Sequence, residues 1–139
     1  MLRPVLYCLF LWSLCAPATA EVVQANSKKL AQLIEQGVPV IDIRTAGEWK
    51  TTGVVKDSRL MTFFDEQGRY DIPGWLTRLA DIAPPGQPVA IICQSGSRSM
   101  MLTHYLDTQA GYSGVINVTR GIGAWVVEGY PTMPAPANP

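Results

Sequence analysis

VAIICQSGSRSMM occupies residues 89–101 and passes from an apolar run through a polar loop into a helical pattern. The run 89–93 follows the breaker residues PPGQP at 84–88, which is typical of a buried strand. Residues 94–97 are small or polar, and a helical pattern begins near Arg98. This order predicts a strand that turns tightly into a helix, with the helix N-terminus close to the end of the strand.

Cys93 is the last residue of the predicted strand. Backbone N–H groups of the loop and of the helix start would surround one point there and give it a partial positive charge. A thiol at that point ionises more easily than a free one, because the N–H groups and Arg98 stabilise the thiolate. The sequence therefore predicts a nucleophilic cysteine. The alternative is an ordinary buried cysteine at the end of a core strand.

Strand and helix patterns alternate along the rest of the chain. Strands are predicted near residues 21–24, 38–44, 58–61, 89–93 and 115–118. Helices are predicted near residues 26–36, 45–50, 73–83, 99–109 and 123–128. This alternation indicates one α/β domain with a parallel sheet and helices on both faces. In such sheets the working site lies beyond the carboxyl ends of the strands, which is where Cys93 is predicted.

Residues 1–20 have the pattern of a cleavable signal peptide. A short basic segment ends at Arg3, an apolar run covers residues 5–15, and small residues before position 21 provide a cleavage site. The apolar run is too short to span a bilayer comfortably, and the alternative is an uncleaved N-terminal anchor. We therefore expect a signal peptide at 1–20, a folded domain at 21–131 and a flexible Pro-rich tail at 132–139, with no stable membrane anchor.

Cleavage after residue 20 would leave Cys93 as the single cysteine, because Cys8 and Cys15 lie in the leader. One cysteine cannot form an internal disulfide, and Cys93 with His104 cannot build a cysteine-rich metal site. The eleven basic residues would fall to ten, against eleven acidic ones. That balance provides no clustered positive charge for nucleic acid or an anionic membrane. We predict no metal, no cofactor and no nucleic-acid partner.

Three motifs resemble those of the rhodanese family, and together they extend over roughly residues 22–131. The first is the loop CQSGSRS at 93–99, with its arginine and the following serine. The second is DIR at 42–44, followed by Glu48-Trp49. The third is RGIGAW at 120–125, followed by GYP at 129–131. In this order, the motifs are similar to those of small single-domain sulfurtransferases that are exported to the bacterial periplasm.

The resemblance implies a rhodanese-like, parallel five-stranded sheet and a double-displacement reaction. The Cys93 thiolate would take the outer sulfur of a donor such as thiosulfate, rest as a persulfide, and pass that sulfur to a thiol or cyanide. The chain would then be a periplasmic enzyme similar to thiosulfate sulfurtransferase. Its partners would be a small sulfur donor and a thiol acceptor, which is either a small molecule or a protein.

The loop after Cys93 is predicted to hold the persulfide, because backbone N–H groups at a helix start suit a polarisable anion. The predicted persulfide- and substrate-binding residues are Gln94, Ser95, Gly96, Ser97 and Arg98. Ser95 and Ser97 hydroxyls would add hydrogen bonds, and Gly96 would permit a backbone with positive φ. Arg98 has two interpretations: it binds the donor's sulfonate, or it fixes the loop through backbone carbonyls.

Supporting roles are predicted for Asp42, Arg44 and Ser99. Asp42 and Arg44 are interpreted as an ion pair that organises the loops near the site, rather than as catalytic groups. Residues 53–58 (GVVKDS) depart from the family's Gly-His-Ile-x-Gly-Ala. The missing histidine removes the basis for expecting a site contact from that loop. Residues 63–72 are expected to shape the mouth of the pocket.

Two other functions fit parts of the pattern. Cysteine-dependent phosphatases and arsenate reductases of related architecture also use a Cys-loop-Arg cradle. Their loop has one residue more than the four that separate Cys93 from Arg98, and their histidine before the cysteine is Ile92 here. A non-enzymatic persulfide carrier or binding module would need the same Cys93 loop. The sequence therefore does not separate a carrier from an enzyme.

Overall fold

Five parallel strands form one sheet in the computed structural model, which describes residues 21–137. In chain order the strands are β1 (Val23–Ala25), β2 (Val40–Asp42), β3 (Arg59–Leu60), β4 (Val89–Ile92) and β5 (Val115–Val118). Across the sheet their order is β1-β5-β4-β2-β3. The central strand is therefore β4, and Cys93 directly follows it. The predicted parallel α/β sheet is confirmed, whereas the predicted signal peptide at 1–20 lies outside the described residues.

Helices cover both faces of this sheet, as predicted. In chain order they are α1 (Ser27–Glu35), α2 (Ala46–Thr52), α3 (Ile72–Ile82), α4 (Ser97–Thr108) and α5 (Gly121–Val127). On one face α3 and α4 contribute Trp75 and Leu106 to an apolar cluster. On the other face α1 and α5 contribute Leu30 and Trp125 to a second cluster. Between residues 21 and 137, no helix is long and apolar enough to cross a membrane.

The central strand β4 is apolar throughout because both of its faces are covered. Val89 and Ile91 pack in the α3–α4 cluster, and Ala90 and Ile92 pack in the α1–α5 cluster. This is the alternation expected of a strand, in which successive side chains point to opposite faces. Cys93 continues the alternation and belongs to the α3–α4 cluster. The thiol is therefore directed toward the side of the sheet on which α4 begins.

Side-chain caps define the starts of three helices. Asn26 caps α1 and Asp71 caps α3, each accepting a hydrogen bond from a backbone N–H three residues further on. Thr45 caps α2 and forms a capping box with Glu48, whose carboxylate accepts from the Thr45 N–H at 3.0 Å. The capping box fixes the position of Glu48 close to the end of β2.

Two helices begin one or two residues earlier than the sequence pattern predicted. The start of α4 is Ser97, whereas the pattern placed it at Arg98 or Ser99, and the start of α5 is Gly121 instead of Gly123. In both cases a residue with positive φ directly precedes the helix, Gly96 at 93° and Arg120 at 61°. A left-handed residue lets the chain enter the helix without an intervening turn. Hydrophobic periodicity does not detect this, so it placed both starts too late.

Residues 132 and 133 are tied to the domain, although the flexible tail was predicted to start at residue 132; for the residues after Met133 the tail stays a prediction. Val54 and Met133 form an antiparallel bridge, with N···O distances of 2.9 and 2.8 Å. The Trp125 indole N–H also donates to the Pro131 carbonyl at 2.9 Å. Backbone pairing therefore continues to Met133.

Candidate active site

Cys93 Sγ lies at the carboxyl end of β4 among donors from the loop and from the first turn of α4. The Gly96 N–H donates to Sγ at 3.1 Å, and the Ser99 N–H donates to it at 3.5 Å. The Ser99 hydroxyl lies 3.4 Å from Sγ, and either atom can be the donor. Cys93 is a free, fully buried cysteine. The sulfur therefore occupies a compact nest of hydrogen-bond donors.

Opposing effects set the acidity of this thiol. Burial raises the pKa of Cys93, because the thiolate loses its contact with solvent. Hydrogen bonds from the Ser99 hydroxyl and from the N–H groups of Ser99, Gly96 and Ser95 outweigh burial and leave the pKa below its ordinary value. A lowered pKa enlarges the fraction of thiolate near neutral pH, and the thiolate is the nucleophilic form.

Gly96 lets the Cys93 loop pack closely against the start of α5. Its φ is 93°, and a Cβ at this position would lie 2.7 Å from the Arg120 backbone nitrogen. At the same end of α5, the Ile122 N–H donates to the Cys93 carbonyl at 2.9 Å, and the Gly123 N–H donates to the Gln94 carbonyl at 3.0 Å. The N-terminus of α5 therefore holds the backbone of the cysteine loop in place.

A Gly96→Ala substitution should destabilise the protein by about 2–5 kcal/mol, the sum of left-handed strain and overpacking. Gly37→Ala is the matched control, because Gly37 also has a positive φ, 78°, but has nothing within 4 Å of its Cβ position. The control should lower the free energy of unfolding by the left-handed strain alone, about 1–2 kcal/mol. Urea unfolding of the two variants measures the difference. Equal losses would contradict close packing around Gly96.

Arg98 makes a two-point ion pair with Glu48 and does not contact Sγ. The two Nη–Oε distances are 2.5 and 3.0 Å, and both side chains are about three-tenths exposed. Burial raises the pKa of Glu48, but hydrogen bonds from Arg98 and from the Thr45 N–H lower it overall. The pair ties α2 to α4. Arg98 thus holds the loop through a carboxylate, whereas one of its two interpretations had backbone carbonyls in that place; its binding to a donor's sulfonate stays a prediction.

Asp42 and Arg44 form a fully buried ion pair at the end of β2. Arg44 Nη2 lies 2.7 Å from Asp42 Oδ2, and Arg44 Nε lies 3.0 Å from Asp42 Oδ1. Arg44 also donates to Thr52 Oγ1 at 2.6 Å and to the Gly53 carbonyl at 2.9 Å. The guanidinium therefore fixes the end of α2 to the sheet. These contacts fit the structural interpretation of the two residues.

Asn117 is a site residue that the sequence analysis missed. Its amide is fully buried, and its Oδ1 accepts from the Ser99 hydroxyl at 2.7 Å. Its Nδ2 donates to Gln24 Oε1 at 2.9 Å. The detectable signal was a polar residue inside the apolar strand VINV, since a buried amide is costly unless it is hydrogen-bonded. Ser99 is thus held from two sides, by Asn117 and by the Cys93 loop.

The other predicted loop residues lie around the cysteine without contacting Sγ through their side chains. Ser95 and Ser97 are exposed, and their hydroxyl oxygens are 3.2 Å apart. Gln94 and Ser95 line a cleft of about 400 Å³ together with Arg120 and residues of α5. Their predicted contacts with a donor or a persulfide therefore remain predictions.

The segment 63–72 packs beside α4 and forms an apolar cavity of about 350 Å³ with it. The cavity is lined by Phe63, Phe64, Tyr70, Ile72, Met101, Leu102 and Tyr105. Phe63, Leu102 and Cys93 belong to the same apolar cluster. Within residues 21–137, no group of three or more His, Cys, Asp or Glu side chains is arranged to hold a metal ion.

The chain matches the model of the family described as "Rhodanese-like domain" over residues 26–128. It is 33% identical over 114 residues to "Sulfurtransferase" of Allochromatium vinosum, covering 81% of this chain and 95% of that protein. It is 30% identical over 115 residues to "Thiosulfate sulfurtransferase 18" of Arabidopsis thaliana, covering 80% of this chain and 83% of that protein.

The fold is similar to a solved structure of a rhodanese-related protein from Thermoplasma volcanium. The TM-score is 0.62 at 25% sequence identity, and the match covers 81% of this chain and 99% of the other. The similarity therefore extends over nearly the whole of that solved chain.

Proposed function

Because the chain belongs to the rhodanese-like domain family, whose relatives support sulfurtransferase activity, we propose that it transfers sulfane sulfur through a Cys93 persulfide. The observation that carries this proposal is the nest of donors from Gly96 and Ser99 around Sγ. The same donors that lower the pKa of the thiol suit a negatively charged persulfide. The proposed donors are thiosulfate-like compounds, and the proposed acceptors are thiols or cyanide.

In the first half-reaction the Cys93 thiolate attacks the outer sulfur of the donor. An S–S bond forms to Cys93 while the donor's own S–S bond breaks. With thiosulfate, sulfite leaves with the electron pair of that bond. The negative charge then rests on the outer persulfide sulfur, where the N–H groups of Gly96 and Ser99 and the helix start stabilise it.

In the second half-reaction the acceptor attacks the outer sulfur of the persulfide. A thiolate acceptor becomes a persulfide, and cyanide becomes thiocyanate. The bond from the outer sulfur to Cys93 breaks, and its electron pair returns to Cys93 as a thiolate. The donors around Sγ favour this step too, because they stabilise the thiolate that leaves.

Access to Cys93 requires a local movement, because the residue is fully buried. We propose that the side chains of the loop and of α4 move aside when a donor binds. Arg98 is the cation of the loop, and it would have to leave Glu48 to bind a sulfonate.

The burial of Cys93 favours one alternative function, a carrier whose partner protein opens the site. Export through a cleavable signal at 1–20 to the periplasm is also part of the proposal.

Thiosulfate treatment should add one sulfur atom to Cys93. The full chain is reduced, treated without oxygen and digested, and the mass of the peptide that contains Cys93 is measured. The Cys93→Ala variant is the control and should gain no sulfur at that peptide. An unchanged peptide mass after treatment with thiosulfate and with a small persulfide donor would overturn the proposal.

Turnover separates the proposed enzyme from its alternatives. Rapid production of sulfite from thiosulfate and a small thiol favours the enzyme. Persulfide loading with negligible turnover favours a carrier that delivers sulfur to a protein. Turnover of a generic aryl phosphate, abolished in Cys93→Ser, would instead favour a phosphatase.

A further inference from the structure

Ser99 has one hydroxyl proton and three possible acceptors. Its Oγ lies 2.7 Å from Asn117 Oδ1, 3.1 Å from the Gly96 carbonyl and 3.4 Å from Cys93 Sγ. The short contact indicates that the proton points at Asn117. In that arrangement Ser99 accepts from the Cys93 S–H group, which suits the neutral thiol. A thiolate carries no proton and needs Ser99 as its donor.

Redirecting the Ser99 proton to sulfur changes what Asn117 must do. When the Ser99 hydroxyl donates its proton to a hydrogen bond with Sγ, no proton lies between the Ser99 oxygen and Asn117 Oδ1. Two acceptor oxygens would then face each other at 2.7 Å. A half-turn of the Asn117 amide removes the conflict, because Nδ2 then donates to Ser99. The half-turn also points Oδ1 at Gln24, which at present accepts from Nδ2 at 2.9 Å. Gln24 must then present its NH₂ group instead of its oxygen.

The strand register makes this coupling direct. Gln24 and Asn117 are partners in the parallel pairing of β1 and β5, so their side chains lie side by side on the sheet. Asn117 is fully buried, whereas Gln24 is exposed and lines a cleft with residues of α4. A turn of the Gln24 amide costs little, because water can replace its 3.3 Å bond to the Val22 carbonyl.

We propose that Asn117 and Gln24 are positioning residues for the nucleophile: the direction in which their amides face decides whether the Ser99 hydroxyl donates to Asn117 or to the Cys93 sulfur. The chain of hydrogen bonds runs from the fully buried thiol to an exposed side chain on β1. The inference rests on the proposed function only in taking Cys93 as the nucleophile. It concerns ionisation of the thiol and not the transfer of sulfur.

Other charges near Cys93 stay constant when Gln24 is changed. Arg98 on α4 interacts electrostatically with Cys93, and Asp42 and Glu48 lie within reach of Arg98. Other charged or titratable groups of the surrounding elements include Arg44 at the end of β2, Arg120 and Glu128 at the ends of α5, Tyr105 on α4, and Glu21, His104 and Asp107 around Gln24. Changing Gln24 alone therefore isolates its own effect.

Opposite substitutions of Gln24 should move the pKa of Cys93 in opposite directions. The carboxylate of Gln24→Glu can only accept hydrogen bonds, so Nδ2 of Asn117 stays turned toward residue 24. Asn117 Oδ1 then continues to accept from Ser99, and the Ser99 proton stays away from sulfur. The pKa should rise by about one unit, the equivalent of one hydrogen bond to a charged group. Gln24→Lys can only donate, which turns Nδ2 of Asn117 toward Ser99 and should lower the pKa. Gln24→Met should lie between them.

The measurement is the pH dependence of Cys93 alkylation by iodoacetamide in the full chain. Peptide masses separate Cys93 from Cys8 and Cys15. The difference in ultraviolet thiolate absorbance between each variant and its Cys93→Ala version gives the same midpoint independently. Neither readout uses sulfur transfer, so a failed sulfur-loading experiment and a failed titration are distinct results.

Matched controls measure how far the added charge alone shifts the pKa of Cys93. Val23→Glu and Val23→Lys place the same charges one residue away, on the opposite face of β1 and away from Asn117. At about 1 M salt, where the screening length is about 3 Å, the Val23 shifts should vanish and the Gln24 shifts should persist. Gln24 variants that titrate like wild type, or that shift no more than their Val23 counterparts, would overturn the inference.

Discussion

Replacement of Arg44 by methionine should lower the free energy of unfolding by about 3–5 kcal/mol, because it leaves a buried carboxylate without its partner. Asp42 and Arg44 are both fully buried, and their closest contact is 2.7 Å. Arg44 also supplies the hydrogen bonds to Thr52 and to the Gly53 carbonyl. The variant therefore loses the ion pair and the link between the sheet and the end of α2. Urea unfolding at neutral pH measures the loss.

Two further variants show that burial, and not the loss of an arginine, causes the effect. Arg69→Met removes an exposed arginine from its ion pair with Asp65 and should cost far less. Combining Arg44→Met with Asp42→Leu removes the stranded charge and should recover part of the stability. An Arg44→Met loss no larger than that of Arg69→Met would contradict this account. So would a double variant less stable than Arg44→Met alone.

Features that depend on neighbouring residues could be predicted from the sequence. The breakers before β4, its apolar run and the polar loop after Cys93 lie within a short stretch, so local patterns were enough to locate the cysteine at a strand end. Asp42 and Arg44 are two residues apart and were paired on the same ground. The alternation of strands and helices then indicated a parallel sheet, because parallel strands need crossover connections.

Contacts between distant residues could not be predicted in this way. Arg98 meets Glu48 across 50 positions, and Asn117 meets Gln24 across 93. Both contacts depend on the order β1-β5-β4-β2-β3, in which β1 and β5 are neighbours although they are the first and last strands. The asparagine within VINV indicated a buried polar group, but only the pairing of β1 with β5 identifies its partner.

The cysteine loop contacts α5 on one side and α4 on the other, and the two sets of contacts have different roles. On the α5 side, backbone N–H groups of Ile122 and Gly123 bind the carbonyls of Cys93 and Gln94 and keep the loop rigid. On the α4 side, the Ser99 N–H donates to the sulfur, and the Ser99 hydroxyl can donate to it when its proton turns away from Asn117. A rigid backbone with one rotatable donor suits both the thiol and the thiolate, and it would suit the proposed persulfide, without a movement of the strand. Ser99 is therefore the residue whose loss should affect the chemistry most after that of Cys93.

Ser99→Ala should slow the reaction of Cys93 with iodoacetamide and with a sulfur donor by about 10- to 100-fold at pH values below the pKa of the wild-type thiol. The hydroxyl is one of the groups that lower the pKa of Cys93, and a hydrogen bond to a charged group corresponds to about one to two pH units. Below the pKa, each unit of increase reduces the thiolate fraction tenfold. Above the raised pKa of the variant, both proteins are ionised and their rates should converge. Rates measured from neutral to alkaline pH test this.

The stability of the two proteins should show the same change in its pH dependence. In wild type the folded pKa of Cys93 lies below its ordinary value, so between those two pH values the unfolded chain binds more protons. Wild-type stability should therefore rise through that window as pH increases and fall as pH drops through the folded pKa. Ser99→Ala should show a smaller rise of stability with pH. It should also show a constant loss of stability, because Oδ1 of Asn117 loses its hydrogen bond.

Thr108→Ala removes an exposed hydroxyl from the same helix and is the control; it should leave the rate profile and the stability profile unchanged. A rate deficit in Ser99→Ala that persists undiminished at alkaline pH would mean that the hydroxyl acts by shaping the loop and not by stabilising the thiolate.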